Sequence, residues 1–258
     1  MRVLVTGAST GIGRATATLL AARGATVLAG VRDPVTAPPH TTPVELDVTD
    51  AAHVERLREL QPLDGLVNNA GIAVTAPLEH LPLDELRRQL EVNVVGQLAV
   101  IQACLPALRA ANGRIVNVSS ISGRVALPLF GPYAASKFAL EALSDALRRE
   151  QREVPVILVE PGAIATPIWD RSIDAADALW DAMPQDRYAP LVARMRALAA
   201  TPKRDPPELV ARVIATALTT ARPRTRYVIG RSARVQAALA RALPGRAMDQ
   251  LLRRFVEQ

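Results

Sequence analysis

Tyr133 and Lys137, four positions apart, are the residues whose types and spacing most directly suggest chemistry. On a helix, which the following residues 138–143 suggest, residues at this spacing project from the same face. A neighbouring ammonium favours the phenolate and lowers a tyrosine pKa that is otherwise about 10, so that Tyr133 could act as an acid or base near neutral pH. An ordinary helix with one tyrosine and one surface lysine also fits the spacing, so the rest of the chain must decide.

Two further polar residues come from predicted elements that lead towards this helix. Ser120 follows the predicted strand 114–118 and lies thirteen residues before Tyr133, enough for a loop that places Tyr133 opposite it. Asn93 is polar on the otherwise apolar face of a long helix, for which Asp84 is the predicted N-cap. Because a buried amide needs hydrogen-bond partners, Asn93 is either a local structural hydrogen-bonder or part of a site.

The chain begins with a strand, a glycine turn and a helix, in that order. Residues 2–6 predict a buried strand, Gly7, Gly11 and Gly13 follow, and an apolar-periodic helix runs to about Arg23. Such a turn lets backbone N–H groups approach a pyrophosphate, and the helix N-terminus adds partial positive charge. The spacing differs from the G-x-G-x-x-G fingerprint. A tight connection is the alternative, but the order of elements favours nucleotide binding.

The end of the second predicted strand, 26–31, bears on which dinucleotide would bind. An acidic residue at this place holds the ribose hydroxyls and repels a 2′-phosphate, whereas an arginine binds that phosphate. Here the strand is followed by Arg32 and Asp33. Arg32 favours NADP(H), although a turn of different shape would bring Asp33 to the ribose. A solvated turn residue is the alternative for Arg32.

Strands and helices then alternate along the chain. A helix is predicted at 52–60 with Asp50 as its N-cap, and further strands are predicted at 44–48, 65–68, 114–118 and 156–160. This alternation predicts a single α/β domain over residues 1–258, with a Rossmann-like, doubly wound parallel β-sheet flanked by helices. Ligands of such sheets bind at the carboxyl ends of the strands, where Asn68 to Gly71 would lie; an Asn/Gly turn is the alternative.

Composition narrows the class of protein. The chain has 258 residues, a net charge of +6 and a pI near 10.3, but its arginines are mixed with acids and its aromatic residues are few, so we expect no nucleic-acid partner. A single cysteine, Cys104, excludes an internal disulfide, and three scattered histidines give no metal site. We find no secretory signal, and the most apolar stretch, 98–108, is too short to span a membrane. We therefore expect a cytoplasmic protein.

Taken together, these motifs resemble those of the short-chain dehydrogenase/reductase superfamily. They follow its order and spacing from residue 2 to about residue 166: Thr6-Gly7-Ala8-Ser9-Thr10-Gly11-Ile12-Gly13, Asn68-Asn69-Ala70-Gly71, Asn93, Ser120, Tyr133-x-x-x-Lys137 and Pro161-Gly162. The resemblance implies a catalytic tetrad of Asn93, Ser120, Tyr133 and Lys137. Ser120 would orient the substrate carbonyl, and Tyr133 would donate a proton as hydride arrives from the nicotinamide. Lys137 would lower the Tyr133 pKa and bind the nicotinamide ribose, and Asn93 would hold a water that links Lys137 to solvent.

The resemblance also implies a cofactor site, with NADP(H) favoured over NAD(H). Relatives that prefer NADP often carry a basic residue where this chain has Thr10, so that phosphate selectivity would rest mainly on Arg32. Asp47 and Val48 would contact the adenine. The expected cofactor-binding residues are Gly7, Ser9, Thr10, Gly11, Ile12, Gly13, Arg32, Asp47, Val48, Asn69, Ala70, Gly71, Tyr133, Lys137, Pro161, Gly162, Ile164 and Thr166.

Residues 167–205 correspond to a mobile substrate lid in the family, and they hold both tryptophans. Their apolar side chains, Leu179 included, suggest a lipophilic ketone, aldehyde or alcohol as the substrate. Packing within a helical hairpin is the alternative explanation for the aromatic residues. The expected substrate-binding residues are Ser120, Ile121, Phe130, Ile168, Trp169 and Trp180.

The C-terminal part resembles the hydroxysteroid, retinol and hydroxybutyrate dehydrogenase-like branch. A helix beginning at 206–208 and a last strand at 223–230 precede a basic amphipathic helical extension, 231–258. We expect the extension to dock beside the active site, with peripheral membrane contact as the alternative. The resemblance implies a homo-oligomer, a dimer or tetramer, with a helix face of Phe138, Ala142 and Leu147 as the candidate interface. Packing of this apolar face inside the monomer is the alternative. A catalytically idle dinucleotide-binding sensor or scaffold is the alternative function.

Overall fold

The computed structural model describes residues 1–181, 185–199 and 204–257. The described strands are β1 Arg2–Thr6, β2 Thr26–Val31, β3 Thr42–Glu45, β4 Gly65–Asn68, β5 Arg114–Val118, β6 Val156–Pro161 and β7 Arg226–Ile229. They form one parallel sheet in the order β3-β2-β1-β4-β5-β6-β7. From β1 the chain adds β2 and β3 on one side of β1, and then crosses to add β4 and the later strands on the other side. This is the doubly wound topology.

Helices cover both faces of this sheet, and the predicted α/β Rossmann-like fold is confirmed. Short 3₁₀ turns lie at Pro34–Thr36, Arg56–Glu59, Leu78–His80 and Ile121–Gly123. The described α-helices are α1 Gly11–Ala22, α2 Ala51–Glu55, α3 Leu83–Leu90, α4 Gly96–Ala110, α5 Gly131–Glu150, α6 Pro167–Asp181, α7 Gln185–Ala199, α8 Pro207–Thr219, α9 Arg231–Ala242 and α10 Gly245–Glu257.

Side-chain alternation along the strands divides the core into two layers. Val3 and Val5 of β1 belong to the layer completed by α1 and α8, and Leu4 belongs to the layer completed by α4. Both faces of the sheet are therefore buried, which explains why its strands read as nearly continuous apolar runs. Cys104 is fully buried in the second layer.

The predicted elements near the third strand are shifted. β3 ends at Glu45, not at residue 48, so Asp47 and Val48 lie in the loop at its carboxyl end. The predicted helix 52–60 divides into α2 and a 3₁₀ turn. The Asp50 N-cap is confirmed, because its Oδ1 accepts hydrogen bonds from two backbone N–H groups of the first turn at 2.8 and 3.1 Å.

The predicted Asp84 N-cap is wrong. Pro82 occupies the cap position with an extended backbone, and α3 begins at Leu83. Asp84 lies in the first turn and pairs with Arg87 at 2.7 Å. Its charge there is still favourable, because the N-terminal end of a helix carries partial positive charge.

A π-helical turn, Glu91–Val95, joins α3 and α4 into one helical run from Leu83 to Ala110. This run has 28 residues, and an 18-residue window within it has a mean hydropathy of 1.4, so it is long and apolar enough to cross a membrane. It is also longer than the stretch 98–108 considered from the sequence. Its side chains Val100, Ile101 and Leu108 are buried in the second core layer. Packing on the sheet therefore explains its hydropathy.

The first two helices after residue 166, α6 and α7, form a hairpin. Helices α6 and α7 pack on each other, and Leu129, Ala176, Trp180 and Val192 form a small buried cluster between them and the main body. The predicted lid, 167–205, and the predicted extension, 231–258, include residues 182–184, 200–203 and 258, which lie outside the described residues, as does the side chain of Leu179. That the α6–α7 pair acts as a lid stays a prediction.

Candidate active site

A cleft of about 650 Å³ opens at the carboxyl ends of the strands, within the range of small-molecule sites. The sequence-predicted residues that line it come from eight separate segments of the chain. They are Gly7, Ser9, Thr10, Gly11, Ile12, Arg32, Asp47, Val48, Asn69, Ala70, Gly71, Asn93, Ser120, Tyr133, Lys137, Pro161, Gly162, Ile164, Thr166, Ile168 and Trp169. Four predicted residues lie outside its lining: Gly13, Ile121, Phe130 and Trp180.

The glycine turn is shaped by main-chain constraints. Gly7 and Gly11 have φ angles of 64° and 54°, in the left-handed region that favours glycine. Gly13 is needed for a different reason, because a Cβ there would lie 2.2 Å from the carbonyl oxygen of Gly7. Gly13 thus lets α1 begin directly against the turn, although it does not line the cleft. A helix N-terminus at such a cradle fits the diphosphate of a dinucleotide.

Thr6 holds the glycine turn to the loop after β4. Its Oγ1 accepts hydrogen bonds from the backbone N–H groups of Asn69 and Ala70, each at 2.9 Å. Asn69 Nδ2 returns a hydrogen bond to the Thr6 carbonyl oxygen at 2.9 Å. Asn69 therefore fixes the glycine turn and the loop after β4 relative to each other. Sequence reasoning gave Thr6 no role, although a buried hydroxyl at a strand end was a usable signal.

The turn after β2 separates the two residues that compete for the choice of cofactor. The Asp33 side chain caps the 3₁₀ turn by accepting a hydrogen bond from Val35 N at 3.0 Å, and it does not line the cleft. Arg32 does line it, and makes no ion pair or hydrogen bond with any residue that the structure describes. Partial burial acts to raise the pKa of Asp47, but hydrogen bonds from Thr49 and the charge of Arg32 hold that pKa below its usual value.

Tyr133 lies in the first turn of α5 and is 5% exposed. Burial raises its pKa to about 12, and a hydrogen bond with the Ser120 side chain offsets only part of the rise. The expectation that Lys137 lowers this pKa is wrong here. Lys137 Nζ is 5.8 Å from the centroid of the tyrosine ring and donates its hydrogen bond to the Val118 carbonyl oxygen at 2.9 Å. The phenol is thus a proton donor at neutral pH.

Lys137 is as deeply buried as Tyr133. Burial lowers its pKa to about 8, although the Glu141 carboxylate, one helical turn further along α5, acts to raise it. The ammonium is consequently charged at neutral pH and loses its proton in mildly alkaline solution. Lys137 and Tyr133 do share one face of α5, as their spacing predicts.

Asn93 lies in the π-helical turn, and its side-chain amide is occupied by protein atoms. Its Oδ1 accepts from Ile72 N at 2.9 Å, and its Nδ2 donates to the Ile72 carbonyl oxygen at 3.0 Å and to Ser136 Oγ at 3.1 Å. Gln89, which the sequence did not single out, makes parallel contacts with Val74 N and the Ile72 carbonyl. The side chain of Asn93 therefore ties the loop after β4 to α5. That Asn93 holds a water stays a prediction.

A cluster of buried charges supports α5 from behind. Glu160 of β6 is fully buried and is bound in bidentate fashion by Arg124, at 2.5 and 2.8 Å. Arg226 of β7 contacts Glu160 at 3.1 Å, Asp145 at 2.5 Å, and Glu141. Burial raises the pKa of Glu141. Sequence reasoning missed this cluster: an acid at the end of an apolar strand was the signal, but its partners are distant in sequence.

The apolar residues expected to meet the substrate divide into two groups. Trp169 lines the cleft and packs edge-on against Tyr133, with ring centroids 5.5 Å apart, while Phe130 supports Trp169 from behind at 5.4 Å. Trp180 lies in the cluster between α6 and α7, where the Arg196 guanidinium sits 5.1 Å from its ring. Hairpin packing therefore accounts for Trp180. Ile121 is buried beside Ser120, outside the cleft lining.

Comparison with known proteins identifies relatives along the whole chain. The family model described as short chain dehydrogenase matches residues 1–177. Retinol dehydrogenase 5 of Mus musculus is 36% identical, with 97% of this chain and 87% of that protein covered. NADPH-dependent 3-dehydrocapnine reductase of Ornithobacterium rhinotracheale is 33% identical, covering 96% and 94%.

A solved structure has the same fold over nearly its full length. The short-chain dehydrogenase from Burkholderia cenocepacia J2315, in complex with NADP, has a TM-score of 0.80 and 29% identity, with 97% of this chain and 96% of that chain covered. The sheet order, the glycine turn and the convergence of Ser120, Tyr133 and Lys137 at one cleft agree with these matches. The chain belongs to the short-chain dehydrogenase family of nucleotide-dependent oxidoreductases acting on CH–OH groups, in its retinol and hydroxysteroid dehydrogenase-like branch.

Proposed function

We propose that this protein is an NADP(H)-dependent oxidoreductase that interconverts a lipophilic ketone or aldehyde and the corresponding alcohol, with Tyr133 as the general acid and base. The observation that carries the proposal is the arrangement at the inner end of the cleft. A buried, protonated Tyr133 is hydrogen-bonded to Ser120, is followed one turn later by Lys137, and has an aromatic ring beside it.

Each of these side chains has a task that follows from its surroundings. When bound, the nicotinamide cofactor supplies the hydride. Ser120 donates a hydrogen bond that orients the substrate carbonyl, and Tyr133 delivers its proton to the oxygen as negative charge develops there. A pKa of about 12 keeps that proton in place until it is needed. The Lys137 ammonium adds positive charge beside the reacting oxygen.

Support for NADP(H) over NAD(H) comes from the turn after β2. Arg32 lines the cleft, while Asp33, the acid that could have bound the ribose hydroxyls, is engaged as a cap. Arginine suits a phosphate because its planar head donates two parallel hydrogen bonds. The NADPH-dependent reductase and the NADP complex among the relatives agree with this choice.

Support for a lipophilic substrate comes from the side chains near Tyr133. Ile168 and Trp169 of α6 line the cleft together with Ile72 and Ala73 of the loop after β4. Apolar surface of this kind favours an apolar substrate body, which leaves the carbonyl to Ser120 and Tyr133. The name of the retinol dehydrogenase relative is consistent with this substrate class.

A turnover screen tests the proposal. The purified protein is assayed with NADPH and with NADH against aliphatic, aromatic and isoprenoid carbonyls, with Tyr133→Phe as the control. We expect NADPH oxidation with at least one lipophilic carbonyl and a lower KM for NADPH than for NADH. Tight NADPH binding without turnover of any substrate would instead support a sensor, and a lower KM for NADH would contradict the role of Arg32.

We also propose a cytoplasmic homo-oligomer. Phe138 and Ala142 are exposed on one face of α5, whereas Leu147 packs partly into the core of the monomer, so only the first two are available to a second copy. Light scattering of Phe138→Glu would test the interface, with dissociation of an oligomer as the expected result. Cell fractionation would test the location.

A further inference from the structure

The first turns of α6 cross the mouth of the cleft and are held on both sides of it. On the glycine-turn side, Thr166 lies so close to Gly11 that a methyl group on Gly11 would come within 3.1 Å of the threonine Cβ. On the opposite side, Ser172 Oγ lies 3.1 Å from Thr75 Oγ1 in the loop after β4. The segment between these contacts therefore forms a bridge over the place where a dinucleotide would lie.

Arg171 is the cation of this bridge. It lines the cleft, and no ion pair or hydrogen bond joins it to any residue in the described part of the chain. The acid next to it, Asp170, is directed to Arg204, with 3.9 Å between Oδ1 and Nη1. Among the described residues, three arginines line the cleft, and one of them, Arg88, is paired with Glu85 at 2.5 Å. Arg32 and Arg171 are thus available to an anionic ligand.

Helix geometry indicates the direction in which Arg171 projects, and so which anionic group it would contact. Pro167, whose Cδ would lie 3.9 Å from a Cβ on Gly11, is four residues before Arg171, so both project from the face that looks towards the glycine turn. Trp169 is two residues before Arg171 and packs on Tyr133. Residues two apart on a helix point to nearly opposite sides. Arg171 consequently faces away from the reacting carbonyl and towards the phosphate-binding turn.

We propose that Arg171 contacts the cofactor diphosphate from the α6 side of the cleft. The glycine turn and the start of α1 bind this group from below, and Arg171 completes its coordination from above. The two available arginines then match the two anionic groups of NADPH, with Arg32 at the 2′-phosphate and Arg171 at the diphosphate. This inference rests on the proposed function, because it takes a nicotinamide dinucleotide as the ligand of the cleft.

Dissociation constants for three probes test the inference without any turnover. NADPH carries both anionic groups, NADH carries only the diphosphate, and adenosine 2′-monophosphate carries only the 2′-phosphate. We expect Arg171→Gln to weaken NADPH and NADH each by roughly tenfold, the effect of one charge-assisted hydrogen bond, and to leave adenosine 2′-monophosphate within about twofold. Arg32→Gln should weaken NADPH and adenosine 2′-monophosphate but not NADH.

Two more variants are controls that separate a specific contact of Arg171 from a loss of folding or a general effect of charge. Arg88→Gln removes a cleft arginine that already has a carboxylate partner, and we expect it to change NADH binding by less than about twofold. Arg171→Lys keeps the charge without the planar fork and should recover part of the affinity. Salt should also weaken NADH binding more steeply in the wild-type protein than in Arg171→Gln.

An unchanged NADH dissociation constant in Arg171→Gln would overturn the inference. If only the KM of an anionic carbonyl substrate rose, Arg171 would be a substrate contact instead. Failure of the proposed function looks different, because then the wild-type protein binds NADPH without turnover, or does not bind it at all.

Discussion

The two sides of the cleft are built in different ways. The turn wall, residues 6–13 with the loop 68–71, is held by main-chain geometry and by hydrogen bonds of Thr6 and Asn69 within 3.4 Å. The hairpin wall, α6 and α7, presents side chains and rests on a small apolar cluster of its own. Polar contacts also tie it to the main body: Ser172 lies within hydrogen-bond distance of Thr75, and Glu79 accepts from the Tyr188 hydroxyl and pairs with Arg187 at 3.6 Å.

This difference separates what the fold fixes from what it allows to vary. A backbone cradle leaves no room for another side chain, so the turn wall commits the protein to one kind of ligand. A helical hairpin can exchange its inward-facing residues without disturbing the sheet, so the hairpin wall can change the substrate while the chemistry stays the same. Tyr133 lies where the two walls meet, and turnover should therefore depend on it whichever substrate the hairpin wall admits.

The largest expected effect follows from removing the Tyr133 hydroxyl. Tyr133→Phe keeps the ring against Trp169 but deletes the proton that the carbonyl oxygen receives, and we expect the rate constant of reduction to fall by roughly a thousandfold or more. NADPH affinity, measured by fluorescence titration, should stay within about twofold. Tyr188→Phe, a change of the same size on the hairpin wall, is the matched control and should retain most activity. Turnover that survives Tyr133→Phe would remove the central assignment.

The next effect concerns the rigidity of the turn wall. In Gly13→Ala the new methyl group would overlap the Gly7 carbonyl oxygen, so either the turn or α1 must move. We expect the free energy of unfolding to drop by about 1–3 kcal/mol and NADPH affinity to fall by at least roughly tenfold, because that shift displaces the diphosphate-binding groups. Gly245→Ala, where nothing lies within 4 Å of the added methyl, is the control. Normal NADPH binding by a stable Gly13→Ala protein would contradict the rigid cradle.

The turn wall, the active-site face of α5 and the end of β2 were also the parts that the sequence predicted well. Glycines before a helix indicate the shape of the backbone turn, and the spacing of Tyr133 and Lys137 indicates that they share one face of a helix. Local spacing is therefore enough to predict both features. The charge of a residue at a strand end, as with Arg32, is likewise a local property. The parallel, doubly wound sheet was predicted because strands and helices alternate along the chain, and buried parallel strands are apolar throughout.

The features that the sequence did not predict depend on contacts between residues distant in sequence. Nothing near Trp180 distinguishes it from Trp169, and only the packing of α6 on α7 assigns one to a cluster and the other to the cleft. Arg226 lies on β7, which pairs with β6, and it therefore reaches Glu160 of β6 and Glu141 of α5. The Tyr133 pKa was predicted in the wrong direction because spacing reports the neighbouring charge but not the depth of burial.

The two tryptophans sharpen the contrast within the hairpin wall. Trp169→Ala removes apolar surface beside the reacting group, and we expect KM for a lipophilic carbonyl to rise by roughly tenfold with little change in melting temperature. Trp180→Ala opens a cavity between α6 and α7, and we expect a loss of about 3 kcal/mol in the free energy of unfolding with a smaller change in KM. A substrate effect from Trp180→Ala alone would show that the hairpin acts on the substrate through its packing.

The smallest effect is a pH dependence that belongs to Lys137 on α5, not to the hairpin wall. Burial lowers the Lys137 pKa to about 8, so the ammonium is present at pH 6 to 7 and is lost as the pH rises through 8. Over the same interval Tyr133, with a pKa of about 12, keeps its proton. We expect kcat/KM for NADPH, which reports the free enzyme, to be level in weakly acidic solution and to fall through a midpoint near the Lys137 pKa.

Charge variants on α5 decide whether Lys137 sets that midpoint. The Glu141 carboxylate raises the Lys137 pKa, so Glu141→Gln should move the midpoint to lower pH. Asp145→Asn is the matched control, because Asp145 shares the partner Arg226 with Glu141 but is not among the groups that shift the Lys137 pKa. Trp169→Ala should leave the midpoint in place while it changes KM for the substrate. If Trp169→Ala moved the midpoint as far as Glu141→Gln does, the hairpin wall would not be independent of α5, because side chains of the hairpin would then control the burial, and with it the charge, of Lys137.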